Sequence, residues 1–139
     1  MKIYFAGSIR AGREDVLLYQ SIINELSSFG EVLTVHVGDL SLTERGDDGP
    51  NDQFIFDRDM AWLSASDVVV SEVSMPSLGV GYELGCAIAL KKPVLCLYRP
   101  GSNRPLSAMI AGNPDIRVAE YSSIEEAKSI IKRFMAVGI

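Results

Sequence analysis

One histidine and two cysteines among 139 residues leave little material for a metal centre. Two Cys and one His do not make a convincing zinc ligand set. Cys86 and Cys96 sit in apolar surroundings and read as buried free thiols of a reducing, cytoplasmic protein. Positive charge is scarce as well. Lys plus Arg is 13 against 18 Asp plus Glu, a formal charge of −5, and the pI is near 4.8. That balance argues against a partner that is a nucleic-acid polymer or a membrane surface, both of which favour basic proteins. No apolar run approaches the ~20 residues of a membrane span. The strand-like pattern begins at Lys2, so no leader peptide is expected. Two nucleotide fingerprints are missing. Gly79, Gly81 and Gly85 miss G-x-G-x-x-G because the last spacing is too long, and no G-x-x-x-x-G-K-[ST] occurs.

What is present is an ordinary globular composition, 47% hydrophobic and 22% charged, which excludes disorder. The length suits one compact domain over 1–139. Strand-like and helix-like segments alternate. Lys2–Ala6 (KIYFA) reads as a strand. Glu14–Phe29 carries Leu18, Ile22, Leu26 and Phe29 on one helical stripe, with Gly30 placed to end it. Val32–Val37 is β-branched and strand-like. Residues 38–52 have no periodicity and form a long loop. Gln53–Ala65 is helical, with Asp59 among the stripe residues Ile55, Trp62 and Leu63. Asp67–Val73 is a nearly apolar strand of the kind buried in a parallel sheet. A turn over Ser74–Val80 leads into a helix over Gly81–Leu90, and Pro93–Tyr98 is the next strand. Arg99–Pro114 is irregular, with one helical turn near Leu106–Ile110. Ile116–Tyr121 is a strand, and a final helix begins at a capping box drawn from Ser122, Ser123, Glu125 and Glu126. The pattern predicts an α/β fold: a doubly wound, five-stranded parallel sheet, flavodoxin-like or Rossmann-like, with helices on both faces.

In such a fold ligands bind outside the carboxyl ends of the strands. Three segments fall there. In GSIRAGR, Gly7, Ser8 and Gly12 suit a phosphate loop, and Arg10 and Arg13 supply charge; an ordinary tight turn would look the same. In SMPSLGVGYELG, Glu83 is placed in the first turn of a helix, where the dipole favours its ionised form. It suits a nucleophile or electrostatic stabiliser, and equally a solvent-facing helix residue. Asp59 is a second carboxylate, and paired carboxylates are the usual equipment for glycosidic cleavage. Its alternative is a bond to a nearby Arg or backbone N–H. His36 is placed at the end of the second strand, with a structural role as the more frequent reading of a lone His. Tyr4 is expected in the core with a hydroxyl that must find a partner. Ser77 and Ser107 are uninformative singly.

Together, YFAGSIRAGRED at 4–15, DMAWLSASDVVVSEVSMPSLGVGYELG at 59–85 and LCLYRPGSNRPLSAMI at 95–110 resemble the 2′-deoxynucleoside 5′-phosphate N-hydrolases, in the nucleoside 2-deoxyribosyltransferase-like group. The resemblance covers roughly half the chain in matching order. It implies a five-stranded parallel sheet and release of free base from deoxynucleoside 5′-monophosphates, leaving 2-deoxyribose 5-phosphate. It implies that Glu83 is the nucleophile at C1′, that Asp59 assists protonation of the departing base, and that Tyr4 orients Glu83 and the sugar. Ser8, Ile9 and Arg10 look like phosphate-loop residues, and Ser77 and Gly79 like further phosphate contacts. Ser107, with Ala108 and Met109, is implied to reach the phosphate of a neighbouring subunit, so a homodimer with shared sites is expected. His36 matches a position beside the base pocket. No metal or redox cofactor is implied.

Two other functions compete. A nucleoside 2-deoxyribosyltransferase would pass the sugar to a second base, although Arg10 and the serines favour a phosphorylated substrate. A non-catalytic nucleotide-binding module would use the same phosphate loop, with Glu83 holding a ribose hydroxyl.

Overall fold

The computed structural model describes residues 1–9, 15–41, 49, 51–101 and 104–137. Five parallel strands form one sheet: β1 (Lys2–Ala6), β2 (Glu31–Val32), β3 (Val68–Glu72), β4 (Val94–Tyr98) and β5 (Ile116–Glu120). Their spatial order is β2-β1-β3-β4-β5. The chain therefore winds outward from β1 to β2, returns, and builds β3, β4 and β5 on the other side. In register, Tyr4 lies beside Val69 and Ser71 beside Cys96. Strands β3 and β4 are buried at every position, which is why they read as continuous apolar runs rather than alternating ones.

Helices cover both faces. On one face α1 (Val16–Leu26) and α5 (Ile124–Ala136) bury Tyr19, Ile22, Leu26, Ala127 and Ile131 against Phe5, Val70 and Leu95. On the other, α2 (Asp52–Ala65) and α3 (Leu78–Ala89) bury Leu63, Leu84 and Ala87 against Tyr4, Val69 and Cys96. A short α4 (Ala108–Ala111) leads into β5. No helix among the described residues is long and apolar enough to cross a membrane. Both cysteines are free; Cys96 is buried, whereas Cys86 is only half-buried.

Several boundaries differ from the pattern for local reasons. The second strand was expected over Val32–Val37, yet it ends at Val32 and the chain enters a 3₁₀ turn at Val35–Gly38. Thr34 explains this. Its Oγ1 accepts from Phe5 N at 2.9 Å and donates to Phe5 O at 2.6 Å, so a side chain takes over the ladder bonds a longer strand would make. His36 consequently sits in that turn, not at a strand end.

The helix expected over Gly81–Leu90 starts at Leu78, because Ser77 caps it by accepting from Val80 N at 3.3 Å. Glycines at 79, 81 and 85 dilute the apolar pattern at its start. Helix α1 stops at Leu26, where Ser27 and Ser28 hydroxyls bond back to Ile23 and Glu25 carbonyls. Gly30 is needed for a different reason: a Cβ there would fall 2.3 Å from Met1 O. At α5 Ser123 Oγ accepts from Glu126 N, and Glu126 Oε2 accepts from Ser122; Glu125 is not part of this cap.

Candidate active site

The winding reverses between β1 and β3, so the connections that leave their carboxyl ends run to opposite sides and leave a crevice. A cavity of about 720 Å³ draws its walls from Gly7 and Ile9 after β1, from His36, from one side of α2, and from the start of α3. Gly7 is tightly packed as well, since a Cβ there would lie 3.0 Å from the Tyr19 ring. Glu83, Asp59 and His36 all line this cavity. Tyr4, 2% exposed in β1, lies close enough to the Glu83 carboxylate for the two groups to interact.

The electrostatics of Glu83 differ from the expectation. With α3 beginning at Leu78, Glu83 lies beyond the first turn, where the helix dipole has faded. Burial dominates instead and, helped by the negative charge of Asp59, pushes its pKa up to about 7; the Tyr4 hydroxyl opposes the rise. Burial, with Glu83 and Asp59 nearby, also holds the Tyr4 phenol far above its usual value. Tyr4 therefore stays protonated beside Glu83.

Asp59 is paired to its neighbour: Arg58 Nε donates to Asp59 Oδ1 at 2.9 Å. The Arg58 guanidinium lies 4.8 Å over the Trp62 ring, and its Nη2 is 3.4 Å from His36 Nε2. His36 and Trp62 are themselves in ring contact at 5.7 Å. At the cavity mouth Phe56 and Tyr82 meet at 6.2 Å, both half exposed. Arg58, Phe56 and Tyr82 were not singled out in the sequence. Arg58 had a signal, the i, i+4 spacing to Trp62 next to a carboxylate of interest.

The remaining site residues divide. Ser77 and Gly79 line the cavity from the first turn of α3, where backbone N–H groups lack intrahelical partners. Ser8 is fully buried, and its hydroxyl has no hydrogen-bond partner among the described residues. Arg10, Gly12 and Arg13 lie outside the described residues. Ser107, Ala108 and Met109 are not in the first cavity. Ser107 caps α4 by accepting from Met109 N at 3.3 Å. It faces, with Met109, a second groove of about 600 Å³ that shares Ser77, Leu78 and Val80 with the first. Among the described residues no group of three His, Cys, Asp or Glu side chains is placed to hold a metal ion.

A second carboxylate cluster went unnoticed in the sequence. Glu72, at the end of β3, is fully buried. It accepts from Ser74 Oγ and from the Tyr121 hydroxyl, the latter at 3.2 Å, and Arg99 Nε lies 3.9 Å away. Arg99 also pairs with Asp15 at the start of α1. Burial raises the Glu72 pKa, with Ser74, Arg99 and Tyr121 opposing.

The family profile described as nucleoside 2-deoxyribosyltransferase matches residues 3–131. A 5-hydroxymethyl-dUMP N-hydrolase of Esox lucius is 51% identical over 139 residues, covering 96% of this chain and 95% of that one. The mouse (Mus musculus) protein of the same name is 54% identical, covering 95% of this chain and 78% of its own. Among solved structures, a 2-deoxyribosyltransferase from Bacillus psychrosaccharolyticus matches with a TM-score of 0.67 at 19% identity, covering 92% of this chain and 90% of that one. That last likeness is one of fold. By profile and by relatives of this identity, the chain belongs to the nucleoside 2-deoxyribosyltransferase family.

Proposed function

We propose that this protein hydrolyses the N-glycosidic bond of 2′-deoxynucleoside 5′-monophosphates, with Glu83 as the nucleophile at C1′. The observation that carries the reading is the convergence of Glu83 and Asp59 on one cavity of nucleotide size, with Tyr4 beside Glu83. Relatives about 50% identical that are named as N-hydrolases of a deoxynucleoside monophosphate support it.

In this scheme ionised Glu83 bonds to C1′ as the bond to the base breaks, and water then displaces the carboxylate. Tyr4 orients the attacking oxygen. Asp59 and His36 face the base and assist its departure. The 5′-phosphate is held by the first-turn N–H groups of α3 near Ser77 and Gly79, by the Ser8 hydroxyl, and by Ile9, Arg10, Gly12 and Arg13 of the loop after β1. These contacts lend remote binding energy that positions C1′. The net charge of −5 is no obstacle, because the donors act locally.

The active form is a cytoplasmic homodimer in which Ser107, with Ala108 and Met109, reaches the partner's phosphate site. The apolar second groove supports this, since Leu78 is 97% and Met109 80% exposed in the single chain. The family description favours one further reading. The same glycosyl-enzyme would pass the sugar to a second base if water were kept out.

A chromatographic assay with deoxy- and ribonucleoside monophosphates and the matching nucleosides separates these. Base release from monophosphates alone is expected. Exchange that needs an added free base, with nucleosides as substrates, would replace the hydrolase reading by the transferase.

A further inference from the structure

The cavity wall contains a cation together with the carboxylates Glu83 and Asp59. Breaking a bond from C1′ to a base nitrogen leaves the bonding electron pair on the base. Those electrons delocalise onto ring carbonyl oxygens conjugated with the departing nitrogen. A guanidinium stabilises that charge directly, a role distinct from the assistance of Asp59 and His36 in protonating the base. Arg58 lines the same cavity as Glu83 and His36. Its side chain is 18% exposed, so solvent weakens it little. Contacts among the described residues hold it: Asp59 through Nε, the Trp62 ring at 4.8 Å, and His36 Nε2 near Nη2. A guanidinium held over an aromatic ring and by an ion pair is preorganised for planar recognition and loses little entropy on binding.

We propose that Arg58 is a catalytic residue for base departure, donating a hydrogen bond from its guanidinium to a carbonyl oxygen of the leaving base. The inference rests on the hydrolase reading above and adds a group to it. The charge is met by Arg58 as the C1′–N bond breaks and Glu83 bonds to C1′. Water then supplies the hydroxyl that remains on the sugar, Glu83 is released as carboxylate, and the other proton of water ends on the base. Substrates whose base carries a carbonyl conjugated with the glycosidic nitrogen are therefore the favoured class.

The test compares single-turnover rates for wild type and Arg58→Gln. The substrates are 2′-deoxyuridine 5′-monophosphates bearing 5-methyl, hydrogen or 5-fluoro, in order of improving leaving group. The variant is expected to lose about 10- to 100-fold on the unsubstituted and 5-methyl substrates, the worth of a hydrogen bond to a charged group. The deficit shrinks on the 5-fluoro substrate, whose base needs less help, so the rate depends more steeply on leaving-group acidity than in wild type. Retained activity on that substrate also reports a folded site. An equal loss on all three substrates, as expected if Arg58 only positions Asp59 and His36, overturns the proposal, and so does no loss. Wild-type protein inert on all three would instead remove the hydrolase reading, and the Arg58 role with it.

Discussion

Glu83 and Glu72 are furnished alike at the same edge of the sheet. Each is a carboxylate raised by burial, each has a buried tyrosine beside it, and each has an arginine–aspartate pair nearby. Tyr4 belongs to the core under α2 and α3, and Tyr121 to the core under α1 and α5. The difference is access. Glu72 is fully buried and additionally satisfied by Ser74, whereas Glu83 opens onto a cavity of about 720 Å³. The same parts therefore serve as a tie between loops on one face and as a poised reactive group on the other. Burial with full satisfaction makes a structural carboxylate, and burial with an open side makes a nucleophile candidate.

The largest expected effect breaks that comparison at the open site. Glu83→Gln should lower base release by roughly 10⁴-fold or more, as loss of a covalent nucleophile does, without unfolding the protein. A variant retaining a tenth of wild-type turnover would remove Glu83 from its role. The closed site should respond the other way. Glu72→Ala leaves the Ser74 and Tyr121 hydroxyls without their shared acceptor, removes the negative charge near Arg99, and opens a void. A loss of about 2–4 kcal/mol is expected in urea unfolding, while turnover per folded molecule stays within a few-fold of wild type. A variant as stable as wild type but catalytically dead would reverse the two assignments.

The fold was legible because the alternation of buried runs with amphipathic stripes is a local property of β3, β4, α1 and α5. What was not legible depended on a single side chain or on a distant element. Thr34 ends β2 by bonding sideways to Phe5, an act no periodicity displays. Glycines at 79, 81 and 85 hid the first turn of α3, and that moved Glu83 away from the helix end. Its raised pKa comes from burial and from Asp59 on another helix, so no segment read alone contains it. The Glu83–Asp59–Tyr4 convergence was reached through resemblance rather than pattern. Glu72, by contrast, announced itself as a charge inside the apolar run VVVSEV and was passed over.

A smaller effect sharpens the contrast through pH. Glu83 binds its proton more tightly folded, near pH 7, than its ordinary value of 4.5. Between those values the native state holds more protons than the unfolded chain, so stability falls as pH rises through the window. Glu83→Gln cannot ionise. It should therefore be more stable than wild type by on the order of 2 kcal/mol at pH 8, with the advantage gone by pH 4. Thermal melts of both proteins across that range check it; a gain independent of pH would show that charge is not the cause.

The smallest effect isolates what Asp59 contributes. An ionised Glu83 must attack, so kcat/KM should fall on the acid side with an apparent pKa near 7. Asp59 adds to that value by its negative charge, after burial. Asp59→Asn removes the charge and keeps the shape, so the acid limb should move down by roughly half to one pH unit. The substrate phosphate titrates near pH 6, but it does so for both proteins, so the difference between the two profiles belongs to the enzyme. The direction is diagnostic. If Asp59 acted on Glu83 only through packing, the limb would stay in place while the rate fell. If the limb moved upward, Asp59 would be stabilising the ionised nucleophile through shared donors, and the two carboxylates would have to be treated as one hydrogen-bonded unit.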